Sequence, residues 1–160
     1  MARITASLFT ALDGVVDPGV GNWHFPRFNE EMGEAVGGTH DADVMLFGRV
    51  TYDSFAGAWP EREAAGGEHA EFARRLGDIR EMVSSPSPLE STWRNPEQLP
   101  GDLVGAVTAL EDDPAIRRIA LSGSVSVVRQ LLDDGAPPRY LELVSAQPFR
   151  TGDLPGEDAP

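Results

Sequence analysis

Three short clusters of small, hydroxylated or basic residues each follow an apolar run. Gly48-Arg49-Val50-Thr51 follows residues 44–47, Ser84-Ser85 follows Met82-Val83, and Ser122-Gly123-Ser124 follows the stretch marked by Ile116, Ile119 and Leu121. A strand that stops at a glycine and turns into a helix exposes backbone N–H groups and the positive end of a helix dipole, which together suit a phosphate. Arg49 adds a planar guanidinium fork fitted to a phosphate monoester. Thr51 stands where the helix could be capped. Any one cluster taken alone reads as ordinary turn chemistry. In an open parallel sheet, however, ligands bind beyond the carboxyl ends of the strands, so three such ends on one edge would contact three parts of a dinucleotide.

The elements that must position these clusters follow from the apolar pattern. Residues 4–12 have strand character, Asp13-Gly14 makes a turn, and Asp17-Pro18-Gly19 opens a loop that Trp23-His24-Phe25-Pro26 closes. Phe28, Met32 and Val36 recur at helical spacing and predict a helix over 27–36, ended by Gly37-Gly38. A strand over 44–47 and a helix over about 51–56 come next. Residues 60–81 are charged and broken by Gly66-Gly67, with Phe72, Leu76 and Ile79 marking a helix in the later part. Met82-Val83 is a minimal strand. The proline-bearing stretch 86–101 is a surface connection with Trp93 turned inward. Residues 103–110 read as a helix, 116–121 as a strand, 127–132 as the apolar face of another helix, and 140–144 as a last strand candidate. The alternation predicts an α/β three-layer sandwich with a mostly parallel central sheet. Residues 1–150 are expected to form one domain and 151–160 a frayed tail.

Composition narrows the function classes. The 160 residues carry a net charge of −13, with 26 acidic residues against 13 arginines and no lysine. Such a field repels nucleic acid and anionic membranes, so neither is expected as a partner, whereas an anionic cofactor answers to the local potential at its own site. The missing lysine excludes Schiff-base chemistry and a Walker-type phosphate loop. The missing cysteine excludes thiolate nucleophiles and disulfides. His24, His40 and His69 lack metal-ligand spacing, so no metal is expected. No apolar run reaches the ~20 residues a membrane helix needs, and the N-terminus lacks the long apolar core of a signal peptide. A cytoplasmic location is the expectation.

Five ordered motifs make a resemblance: Phe9-Thr10-Ala11-Leu12-Asp13-Gly14-Val15-Val16, Trp23-His24-Phe25-Pro26, Gly48-Arg49-Val50-Thr51-Tyr52, Val83-Ser84-Ser85 and Leu121-Ser122-Gly123-Ser124. Over residues 3 to about 135 the chain resembles the dihydrofolate reductase superfamily. It is most similar to the branch related to the reductase domain of the bifunctional riboflavin-biosynthesis deaminase-reductase. The resemblance implies an NADPH site. Gly48, Arg49 and Thr51 would meet cofactor phosphates, Ser84 and Ser85 would lie near the adenosine 2′-phosphate, and Gly123 and Ser124 would begin the glycine-rich turn beneath the pyrophosphate. Thr10 and the Asp13-Gly14 turn would border the nicotinamide, with Trp23 walling the cleft.

Departures from the pattern carry expectations of their own. Val125 stands where related sequences have a second glycine, and a β-branched residue disfavours positive φ, so a reshaped turn is expected there. Phe28 stands where folate-reducing members carry a carboxylate, which argues against folate reduction. The C-terminal hairpin of the family is expected to be shortened or divergent, and the sheet edge it leaves would favour a homodimer. The function implied is an NADPH-dependent reductase acting on a small heterocyclic or carbonyl/imine substrate. Asp13 is the one residue named for proton handling, with turn formation as its other reading. The alternative is a catalytically inactive nucleotide-binding or dimerisation module of the same fold.

Overall fold

The computed structural model describes residues 2–10, 13–16, 30–39, 41–90, 93–94 and 96–133. Trp23, Phe28, the strand candidate at 140–144 and the tail at 151–160 lie outside them. In chain order the elements are β1 (Arg3–Ser7), α1 (Glu30–Thr39), β2 (Val44–Gly48), α2 (Arg49–Ala65), α3 (Glu68–Asp78), β3 (Arg80–Ser84), β4 (Glu97–Gln98), α4 (Leu103–Asp112), β5 (Arg118–Ser122) and α5 (Val125–Asp133). The five strands form one sheet in the order β1-β5-β2-β3-β4, and every pairing among them is parallel. The protein is therefore α/β.

Parallel pairing demands that both faces be covered, and the central strand shows it. All five residues of β2 are buried. Val44 and Leu46 join Met82, Leu103, Val107, Leu110, Ile119 and Val127 beneath α4 and α5. Met45 and Phe47 turn the other way, joining Tyr52, Leu76, Val83 and Trp93 beneath α2 and α3. Period-two alternation along one strand thus feeds two separate cores. A file of tilted rings, Phe47, Phe55, Trp59 and Phe72, runs along the second core with centroids 5.1–6.1 Å apart.

Several boundaries differ from the sequence expectation, each for a physical reason. The helix expected at 51–56 spans 17 residues and carries Pro60 within it. Proline removes one helical hydrogen bond, but Phe55 and Trp59, in the turn before it, are held by the rings of Phe47 and Phe72. Gly66 and Gly67, at φ 73° and 81°, make the break to α3. Helix α1 continues through Gly37-Gly38 to Thr39. A Cβ at Gly37 would lie 3.8 Å from the Phe72 ring, so this glycine sits at a helix contact. Strand β4 is only two residues long and exposed on both, so no alternation announces it; Leu99 N–H extends its pairing by donating to Val83 O at 2.9 Å. Helix α4 opens on Asp102, whose carboxylate accepts the Gly105 N–H at 2.8 Å.

At the amino ends of the strands, Asp43 Oδ2 accepts the N–H groups of Arg117 and Arg118 at 2.8 and 2.9 Å. Those two backbone donors hold its carboxyl below the ordinary carboxylate value. This clasp sets β2 against β5 and so fixes which residues reach the carboxyl edge together. Among the described residues, no helix is long and apolar enough to cross a membrane.

If β2 organises both cores, Leu46→Ala costs about 2–5 kcal/mol of unfolding free energy in urea. Val50→Ala, at a position 84% exposed, changes it by less than about 0.5 kcal/mol.

Candidate functional site at the carboxyl edge of the sheet

The register brings the three clusters to one edge. Gly48 and Ser84 are paired residues at the ends of β2 and β3, and Ser7 and Ser122 close β1 and β5. Helix α2 leaves β2 toward the core of Phe47 and Tyr52, whereas α5 leaves β5 toward the core of Leu46 and Val127. Two adjacent strands whose following helices diverge to opposite faces define a topological switch point, the position where open α/β sheets hold ligands.

The two turns at that point touch. The Gly48 N–H donates to the Ser124 side-chain Oγ at 2.7 Å, a buried bond. A Cβ on Gly48 would stand 3.1 Å from Val127 Cγ2 and 3.3 Å from Ser124 Oγ, so the approach needs a residue without a side chain. Gly123 adopts φ 83° and Ser124 φ 62°, while the Gly123 N–H donates to Ser7 O at 3.1 Å. Serine in the left-handed region carries strain of order 1–2 kcal/mol, which the buried bond to Gly48 offsets. Val125, where a reshaped turn was expected, is the first residue of α5, and the positive φ falls one residue earlier.

Gly48 is the N-cap of α2, in place of the Thr51 suggested by the sequence, and it has no side-chain oxygen to occupy the helix N–H groups. Neither α2 nor α5 carries an acidic residue in its first turn. The positive ends of both dipoles therefore stand without local compensation. Thr51 lies beneath the second turn: a Cβ on Gly123 would meet Thr51 Cγ2 at 3.6 Å and Oγ1 at 3.8 Å.

Arg49 is engaged within the protein. Its Nε donates to Asp53 Oδ2 at 2.7 Å, and its Nη1 donates to Ser87 Oγ at 3.2 Å and Pro88 O at 2.8 Å. The guanidinium thus staples the loop after β3 to the start of α2. Ser85 Oγ donates to Ser87 O at 2.7 Å and accepts the Ser87 N–H at 3.3 Å, closing a tight turn in that loop. Ser87 itself had no sequence signal beyond its place in a proline-bearing run. Asp13 is exposed, and its Oδ1 accepts the Val15 N–H at 3.1 Å, the geometry of a turn-forming aspartate. Thr10 is exposed just beyond β1.

Two other features lie elsewhere. A cavity of about 240 Å³ opens at the amino ends of β2 and β3, lined by Ala42, Phe72, Leu76 and Ile79 with Asp41, Asp78 and Arg75 at its polar side. Among the described residues, no group of three or more His, Asp or Glu side chains is disposed to hold a metal ion.

The junction predicts a measurable pair of effects. Ser124→Ala, which orphans the buried Gly48 N–H, lowers unfolding free energy by about 1–3 kcal/mol. Ser124→Gly loses the same bond but relieves the positive φ, so it unfolds at higher urea than the alanine variant by about 1 kcal/mol. No protein-family profile matches this chain and no curated protein does, so the reading of this edge rests on its own residues.

Proposed function

We propose that the carboxyl edge holds a phosphorylated dinucleotide, NADPH, and that the chain is an NADPH-dependent reductase of a small heterocyclic or carbonyl/imine substrate. One observation carries the reading. The Gly48–Ser124 bond of 2.7 Å joins the starts of two helices at the switch point, with no acidic residue in either first turn. Two converging dipole ends and their N–H groups suit a pyrophosphate.

The residues present fit the group. Backbone at Arg49, Val50 and Thr51 and at Ser124 and Val125 would cradle the phosphates, with Gly48 and Gly123 permitting close approach. Arg49, already fixed by Asp53, Ser87 and Pro88, would offer the remaining edge of its guanidinium to a phosphate monoester without first losing its side-chain freedom. Bound there, the cofactor supplies a hydride, and the protein's part is to bind, orient and exclude water.

The second reading, a nucleotide-binding module without catalysis, is favoured by the bond from the Val15 N–H to Asp13 Oδ1. That bond gives Asp13 a sufficient role as a turn former and leaves proton delivery to water or substrate. The reductase and the nucleotide-binding form of the inactive module both require nucleotide binding; a dimerisation module of the same fold does not.

Titration with NADPH and NADH, followed by tryptophan fluorescence, tests that requirement. Saturable binding is expected, tighter for NADPH. Arg49→Ala is expected to remove the preference by weakening NADPH by about tenfold or more while leaving NADH nearly unchanged, as loss of a charge-assisted pair predicts. An equal loss for both cofactors would reduce Arg49 to a staple of the loop. No binding of either at millimolar concentration would overturn the proposal.

A further inference from the structure

A second polar cluster lies beneath the α2–α3 layer, and the proposed nucleotide site makes no use of it. Glu81, in the middle of β3, is 2% exposed, and neither carboxyl oxygen has a hydrogen-bond partner. It shares a sheet face with Val83, toward Tyr52, Leu76 and Trp93. Trp93 is buried, its indole Nε1 also lacks a partner, and its backbone N–H donates to Tyr52 Oη at 3.0 Å. The next residue, Arg94, is held at φ 59°, in the left-handed region that is costly for a side chain of this size.

The charges around Glu81 are few. Arg94 is the cation within its electrostatic reach. That guanidinium is drawn outward to Glu63 Oε1 at 2.6 Å on α2 and Asp78 Oδ1 at 3.9 Å on α3. From α2, Tyr52 also feels Glu81, together with Asp53. Strand β2 offers only Met45 at the paired position, and Arg80 is turned to Glu97 in a two-bond pair. An ionised, unpaired Glu81 is therefore costly as the site stands, and two remedies are at hand: protonation, or movement of the Trp93–Arg94 segment on the same face.

We propose that Trp93 and Arg94 form a proton-operated latch, closed on Tyr52 while Glu81 is protonated and released when Glu81 ionises and takes up water. The segment follows in sequence the loop that holds Arg49 through Ser87 and Pro88. The latch does not depend on what that edge binds.

The sign follows from linkage. Burial pushes the Glu81 carboxyl from 4.5 up to about 7 in the closed form, with Arg94 opposing. The closed form holds a proton that the open form releases, so closure is strongest below pH 4.5. It weakens by up to about tenfold per pH unit between 4.5 and 7 and is constant above that.

Amide hydrogen exchange at Trp93, corrected for the intrinsic pH dependence of exchange, reads the latch directly. Protection is expected to fall between pH 5 and 7 by about tenfold per unit, while the Phe47 amide in the core keeps its protection. Glu81→Gln, a neutral isostere, is expected to hold Trp93 protected at every pH. Loss of protection at Phe47 in step with Trp93 would mean global unfolding and would overturn the latch. So would identical Trp93 profiles in wild type and variant. Should the variant not fold, the wild-type chain decides: loss of Trp93 protection that tracks the Glu81 carboxyl carbon titration supports the latch, and Trp93 protection that stays flat across that titration removes it.

Discussion

The bond from the Gly48 N–H to Ser124 Oγ, 2.7 Å long and buried, is the joint on which the carboxyl edge of the sheet depends. It links residues 76 positions apart in sequence at the place where β2 and β5, neighbours in the sheet, send their helices to opposite faces. Everything on one side of it belongs to the core of Tyr52 and Phe47, and everything on the other to the core of Leu46 and Val127. Glycine at 48 allows the approach and serine at 124 supplies the acceptor. The cost is a non-glycine residue in the left-handed region, a kind of strain that persists only where surrounding structure over-determines it.

Around that joint the loop after β3 is tied down in advance. Arg49 joins the first turn of α2 to Ser87 and Pro88, and Asp53 fixes the guanidinium from the next turn of the same helix. Most exposed arginine–carboxylate pairs contribute little to stability. This one has a different consequence, since it orients a cation at the mouth of the switch point and lowers the entropy a bound anion would otherwise have to remove. The same loop leads in sequence to the Trp93–Arg94 segment on the face of Glu81, the one buried carboxyl that has no partner among the described residues.

Much of this layout was legible from residue pattern. The apolar run before Gly48, the Gly66-Gly67 break, the spacing of Phe72 and Leu76, and the inward turn of Trp93 all reflect local rules that the tertiary structure did not override. Helix α2 was read too short because Gly57 and Pro60 are breakers in isolation, and only the ring contacts of Phe55 and Trp59 show why the helix survives them. Strand β4 carries no alternation because both its residues are exposed. At the site, the clusters were readable as strand ends, but the partners of Arg49 were not, since Ser87 and Pro88 lie in a run whose composition says only surface. A reshaped turn was expected at Val125, and the positive φ falls at Ser124, a one-residue placement that leaves no trace in residue type. Glu81 gave no signal at all: in sequence it is one more charge in a charged stretch, and only the β3 register turns it inward beside Val83.

The central claim is that the starts of α2 and α5 together grip a phosphorylated dinucleotide. Backbone amide chemical shifts, followed while NADPH is added to the intact chain, test it most directly. The claim requires the largest saturable shifts at Val50, Thr51 and Val125, moving together with one affinity. Saturable shifts confined to other surfaces, or none at these three amides, would contradict it.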